Sequence, residues 1–182
     1  MKTIDYILSD FKRVSGLDNA YIRALKNGIW GNNRGYKFLF WFRLSQSKSF
    51  LNFFARHIYK HLSNKYCIDI PLSAQCGYGL YLGHGMCIVI NGSTIIGNNV
   101  NLSQFLNIGS NDNSYTKIED NVYIAPHVSI VGGLTIGANS SIGAGSVVIK
   151  DVPQNATAVG VPARIVHYNN PGRYINNKYY VE

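Results

Sequence analysis

Ile118, Ile124, Ile130, Ile136, Ile142 and Val148 stand six residues apart, and four residues beyond each come Val122, Val128, Leu134, Ser140, Ser146 and Val152. Upstream, Ile90, Ile96, Leu102 and Ile108 keep the same period. An α-helix repeats near 3.6 residues and a strand near two, so a sustained period of six belongs to neither alone. It fits a solenoid in which every hexapeptide supplies one short strand and one corner. The aliphatic residue then points into a narrow triangular interior. Gly97, Gly137 and Gly143 follow it directly, at the corner, where a bulky side chain would crowd the turn. At roughly eighteen residues per turn, residues 68–152 make about four to five coils.

The period slips twice. Ile108 and Ile118 are ten residues apart, and the excess lies in the polar stretch from Gly109 to Tyr115, which has to loop outward. Earlier, Ile70, Cys76 and Leu82 run at six, but Ile90 comes eight later. The two extra residues fall at Gly83-His84-Gly85. A histidine between glycines at a phase slip is pushed off the interior face, whereas a regular corner histidine is simply solvated. His127, in Ala125-Pro126-His127-Val128, reads as such a corner residue. His57 and His61, four apart on a basic helix, have no nearby carboxylate and read as surface residues, so no metal is expected.

Before residue 67 the pattern is helical. Ile4, Ile7, Leu8 and Phe11 recur at three and four and stop at Gly16. A second helix is expected over Tyr21 to Lys26, a third carries Phe38, Trp41 and Phe42, and a fourth carries Leu51, Phe54, Ile58 and Leu62, with breaks at Gly28, Gly31 and Gly35. The expected organisation is a helical region over 1–66, a β-helix over 67–167 and a C-terminal tail over 168–182. The net charge of +8 is concentrated in the first of these. Residues 1–66 hold twelve Lys/Arg against three acids, and no acid stands between Asp18 and Asp69. Between residues 34 and 65 cations alternate with aromatics, among them Tyr36, Trp41, Phe42, Arg43 and Phe54. Such a stretch packs as a cap over the first coil or lies at a membrane surface; no nucleic-acid reader motif accompanies it. The longest apolar runs fall far short of the roughly 20 residues that cross a bilayer, and the N-terminus has no signal-peptide pattern. A cytoplasmic location is expected, with contact at the inner membrane face as an option. Cys67, Cys76 and Cys87 are odd in number and lack CxxC spacing, which speaks against a disulfide framework or a zinc site.

The run from Asp69 through Cys76-Gly77 to Gly83-His84 resembles the signature of serine O-acetyltransferases, within the hexapeptide-repeat acyltransferases. The resemblance implies a left-handed parallel β-helix, acetyl-CoA as cosubstrate and a homotrimer with active sites between subunits. In that family an aspartate fifteen residues ahead of the catalytic histidine partners it, and Asp69 and His84 keep that spacing. His84 is then the general base toward a hydroxyl, with Asp69 fixing the tautomer and Gly85 N–H a candidate oxyanion donor. The segment Ile142-Gly143-Ala144-Gly145-Ser146 and the later Val159-Gly160-Val161-Pro162-Ala163-Arg164 resemble the ending shared by acetyl-CoA-dependent members. This implies pantetheine passing Gly109, Pro126 and Ala144, and nucleotide phosphates meeting Lys150, Arg164 and His167.

Two departures bear on the acceptor. Serine acetyltransferases carry Asp-His where Gly83-His84 stands, and Arg-His where Ser114-Tyr115 stands. Losing those charges leaves a zwitterion unpaired. The character is that of surface-polysaccharide O-acetyltransferases, so the expected acceptor is a sugar hydroxyl. Serine O-acetyltransferase and a non-catalytic hexapeptide scaffold stand as alternatives.

Overall fold

The computed structural model describes residues 2–110 and 114–181. Four helices come first: α1 (Thr3–Ser15), α2 (Tyr21–Trp30), α3 (Arg34–Ser45) and α4 (Asn52–Tyr66). Strands follow in threes, one per face of each coil. The first coil holds β1 (Ile68–Asp69), β2 (Gln75–Cys76) and β3 (Tyr81–Leu82), and the second holds β4 (Ile88–Ile90), β5 (Ile95–Ile96) and β6 (Asn101–Leu102). The third contains β7 (Asn107–Gly109), β8 (Lys117–Ile118) and β9 (Tyr123–Ile124). The fourth contains β10 (Ser129–Val131), β11 (Thr135–Ile136) and β12 (Ser141–Ile142). Then come β13 (Val147–Val148), β14 (Thr157–Gly160) and β15 (Ala163–His167).

Stacked coils make three sheets, β1-β4-β7-β10-β13, β2-β5-β8-β11 and β3-β6-β9-β12-β14-β15, parallel except for the final β14–β15 pair. This is the parallel solenoid expected from the repeat, in the left-handed β-helix form that the resemblance implied. Every aliphatic of the six-residue series is buried, and from Ile118 to Val148 so is each residue four beyond it, Ser140 and Ser146 included. The core is therefore a continuous column in which Ile96, Ile118 and Ile136 stack coil upon coil. The strands are too short to persist alone. What holds them is the burial of that column, at roughly 25 cal/mol per Å² of apolar surface, and the hydrogen bonds from each coil to the next.

The helices cap the open first coil, as a solenoid end requires. Tyr36, Phe38 and Phe42 are fully buried, which realises the packing alternative for this part of the basic, aromatic stretch. Arg43 is not a solvated cation: it donates to Asp10 Oδ2 at 2.9 Å and to the carbonyls of Cys76 and Gly77 at 2.7 and 2.6 Å. Asp10 also accepts from Leu80 N–H at 2.8 Å. Burial alone would lower the pKa of Arg43, but the Asp10 charge outweighs it and holds the guanidinium protonated. Arg13, drawn down to about 10 by burial, donates to Gly79 O and to Asn101 Oδ1 at 2.7 and 2.6 Å.

The helical boundaries depart from expectation at the glycines. α2 runs on through Gly28, and Gly35 is the second residue of α3. Neither breaks a helix. Gly28 lies under the Phe40 ring and Gly35 under the Leu82 carbonyl, each so close that a Cβ would overlap its neighbour. In α4 the packed side is Ala55, Ile58, Tyr59 and Leu62, while Leu51 and Phe54, expected on that side, are exposed with Phe50 and Phe53. No helix among the described residues is long and apolar enough to cross a membrane.

The tail turns back along the solenoid. Gly172 N–H donates to Asn139 O, Asn101 Nδ2 to Tyr174 O, Tyr179 N–H to Asn99 Oδ1, and Arg13 Nε to Asn176 O. Tyr174 rests on Tyr123, with ring centroids 4.5 Å apart.

Candidate active site

The slip at Gly83-His84-Gly85 is a real enlargement of the coil. Ile68 pairs with Ile88 and Leu82 with Leu102, twenty residues per turn, whereas Ile130 pairs with Val148 at eighteen. The two added residues bulge at the corner between β3 and β4. His84, Gly85 and Cys87 there all take left-handed backbone conformations, with φ of 60°, 54° and 52°. The corner is pinned on both sides by Gly83 N–H to Leu102 O at 2.7 Å and Cys87 N–H to Tyr66 O at 3.0 Å. The His84 side chain is exposed, off the interior face as the slip implies.

A third anchor comes from the helices. Asn33 caps α3 by accepting Tyr36 N–H at 2.9 Å, and the first turn of α3 drives Gly35 against Gly85 so tightly that a Cβ on Gly85 would overlap the Gly35 nitrogen. Gly85→Ala therefore adds overlap between two backbones, neither of which can give, at a left-handed position. It is expected to destabilise the fold by about 1–3 kcal/mol and to disturb the imidazole next to it. Urea denaturation alongside turnover measures both.

His84 borders a hollow of about 670 Å³ with Asn33, Arg34, Tyr81, Ser103, Gln104, Tyr123 and Pro126. That is the size of a small-molecule site. A slightly larger hollow, about 730 Å³, lies among Tyr6, Arg43, Gln75 and Ile95. Among the described residues no histidine or carboxylate lines it to act as a base, burial pushes its Cys76 thiol up to about 11, and its Arg43 is already committed to Asp10.

The structure does not bring Asp69 and His84 into hydrogen-bond contact. Asp69 faces outward from β1, opposite Val89, in a separate hollow with Tyr59, Lys60 and Ser63. The His84 hollow lies instead on the face of β3, β6 and β9, so the two residues flank one corner from adjoining faces.

Of the residues expected along the donor path, Pro126 and Ala144 occupy successive corners, joined by Gly145 N–H to Pro126 O at 3.0 Å. Ala144 is exposed, and Pro126 belongs to the His84 hollow itself. Arg164, also exposed, lies opposite Val159, whose side chain covers Gly143 beside Ala144. Gly109 and Lys150 stand at the other edge of the β7–β10–β13 face, Gly109 with open space above its Cα. His167 pairs with Thr157, away from that corner. Of the loop from Gly109 to Tyr115, residues 111–113 lie outside the described residues. His127 is a corner residue as expected, stacked on Phe105 at 4.5 Å. No group of three or more His, Cys, Asp or Glu placed to hold a metal occurs among the described residues.

Sequence reading missed Ser103, Gln104 and Tyr123. Coil arithmetic reaches them: Leu82, Leu102 and Ile124 are in register, so the corner after each stacks His84 near Gln104 and Pro126. Arg34 carried no such signal, since the repeat says nothing about where a capping helix begins.

Comparison with known proteins agrees with the fold. Residues 115–150 match the family Bacterial transferase hexapeptide (six repeats). The serine acetyltransferase of Escherichia coli K12 is 33% identical over 149 residues, which is 80% of this chain and 49% of that enzyme. The chain spans about half or less of the length of the first curated relatives it matches. Among solved structures, soybean serine acetyltransferase complexed with serine superposes with a TM-score of 0.75 at 28% identity, covering 91% of this chain and 70% of that one. Serine acetyltransferase from Brucella abortus in complex with coenzyme A gives 0.72 at 30%, covering 88% and 66%.

Proposed function

The chain belongs to the hexapeptide-repeat transferases, and on that premise we propose that it transfers an acetyl group from acetyl-CoA to a hydroxyl, with His84 as general base. The observation that carries this is the imidazole held outward by the enlarged coil in a hollow that reaches the Pro126 corner. Neutral His84 removes the hydroxyl proton as the oxygen attacks the thioester carbon. The tetrahedral oxyanion collapses, the C–S bond breaks, and the imidazolium returns its proton to the coenzyme A sulfur. Pro126, Ala144 and Arg164 follow one corner and suit the donor, with Arg164 as a cation for its phosphates. Gly109, Lys150 and His167 are assigned to the donor on resemblance alone.

We assign Asp69 to the imidazole of a neighbouring copy. In a homotrimer with sites in the clefts between subunits, the β1–β4 face of one chain meets the β3–β6–β9 face of the next. Asp69 would then orient a ring it does not touch within its own chain.

The relatives favour serine as acceptor, reversing the order expected from the sequence, which put a sugar hydroxyl first. A sugar hydroxyl is the second reading, favoured by the uncharged Gly83 and by Ser114-Tyr115. Purified protein given acetyl-CoA with L-serine, and in parallel with a glycan panel, is expected to release free thiol with one class of acceptor. Acceptor-independent thiol release, or none, would sink the transferase reading.

A further inference from the structure

Arg34 is the one permanently charged side chain bordering the His84 hollow, and no carboxylate among the described residues borders it. Next to it, sharing Asn32 and Arg34, a second hollow of about 500 Å³ opens between α3 and the end of α4; its charged residues are Arg34, Lys37 and Lys65. The two hollows form one basic surface beside the imidazole. Arg43 and Arg13, elsewhere in the helical cap, are consumed by buried partners. Arg34 is exposed and in no ion pair among the described residues; its guanidinium lies 6.0 Å from the Tyr66 ring centroid. Its backbone is nevertheless fixed, as the first residue of α3, between the Asn33 cap and the Gly35–Gly85 contact. A planar fork of donors held beside a base, with its charge unspent, suits a carboxylate or a phosphate.

We propose that Arg34 pairs with an anionic group on the acceptor and so selects acidic hydroxyl compounds. This rests on His84 being the base, and it supplies from α3 the cation that Ser114-Tyr115 does not. The anion has two sources, the carboxylate of an amino acid or the acidic group of a sugar, and matched acceptors tell them apart.

The test follows thiol release from acetyl-CoA with L-serine against L-serinamide, with glucuronate against glucose, and with glucose 1-phosphate against glucose. In at least one pair the acid is expected to have the higher kcat/KM, by about tenfold or more, as a charge-assisted hydrogen bond supplies. Arg34→Gln should collapse that ratio through KM with kcat largely kept, and Arg34→Lys should restore part of it. The pair that responds identifies the source of the anion. An unchanged ratio in Arg34→Gln overturns the proposal, and so does an effect confined to the KM for acetyl-CoA, which would move Arg34 to the donor. If no acceptor is turned over, the transferase reading fails separately. Calorimetry with glucuronate and glucose 1-phosphate against glucose then decides Arg34: an anion bound by the native protein and lost in Arg34→Gln supports it, and equal or absent binding overturns it.

Discussion

His84→Asn is expected to lower kcat/KM at least about a hundredfold, the usual share of a positioned general base, while leaving the folded state intact. Asparagine is the informative replacement because His84 sits at a φ of 60°, where asparagine is comfortable and alanine is strained. The side chain is exposed and supports no packing, so thermal unfolding should move little while turnover collapses. Retained activity would remove the imidazole from the chemistry. Asp69→Asn extends the experiment. If the carboxylate serves a neighbouring copy, unfolding and reassembling equal amounts of the two inactive variants should restore about a quarter of the sites, by random placement around a closed ring. If it serves its own chain, mixing restores nothing.

The second large effect is structural. Arg43→Met should destabilise the protein by about 3–5 kcal/mol, because it leaves the buried Asp10 carboxyl without its counter-ion, at the cost of either an unpaired charge or an uptake of a proton. The loss is compounded at the Cys76 and Gly77 carbonyls, each of which accepts from the Arg43 guanidinium. Met matches the length of the stem, so lost packing contributes little. A fall in the urea midpoint at unchanged slope is the expected result. A midpoint within error of the native protein would mean that the helical cap is held by its aromatic core alone.

The solenoid was legible because a six-residue period leaves so few ways to bury Ile118 through Val148. His84 was legible for the converse reason: a break in a strict rhythm has to go outward. What the sequence could not show were relations between segments with no shared rhythm. Nothing in the order of residues says that Asp10 and Arg43 meet, so Arg43 read only as one cation in a basic, aromatic stretch. Gly28 and Gly35 read as helix breakers because a glycine that ends a helix and one that admits a ring or a carbonyl look alike in a string. Ile58 and Leu62 pack as their helical spacing said, but the packed stripe runs on through Ala55 and Tyr59 and leaves Phe54 exposed. The Asp69–His84 spacing was correctly noticed, yet a spacing gives no direction, and the enlarged coil turns the two side chains onto adjoining faces.

Stacked-coil proteins ordinarily lose structure from either end, since each turn is supported only by its immediate neighbours. The returning tail changes that, because Gly172, Tyr174, Asn176 and Tyr179 tie Asn139, Asn101, Arg13 and Asn99 into one seam. Peeling the last coils therefore tugs on α1, and loosening α1 frees the tail. Amide exchange across the whole stack should then follow one shared opening rather than a gradient from the tips, which makes the seam a device for all-or-none stability in an architecture that otherwise frays.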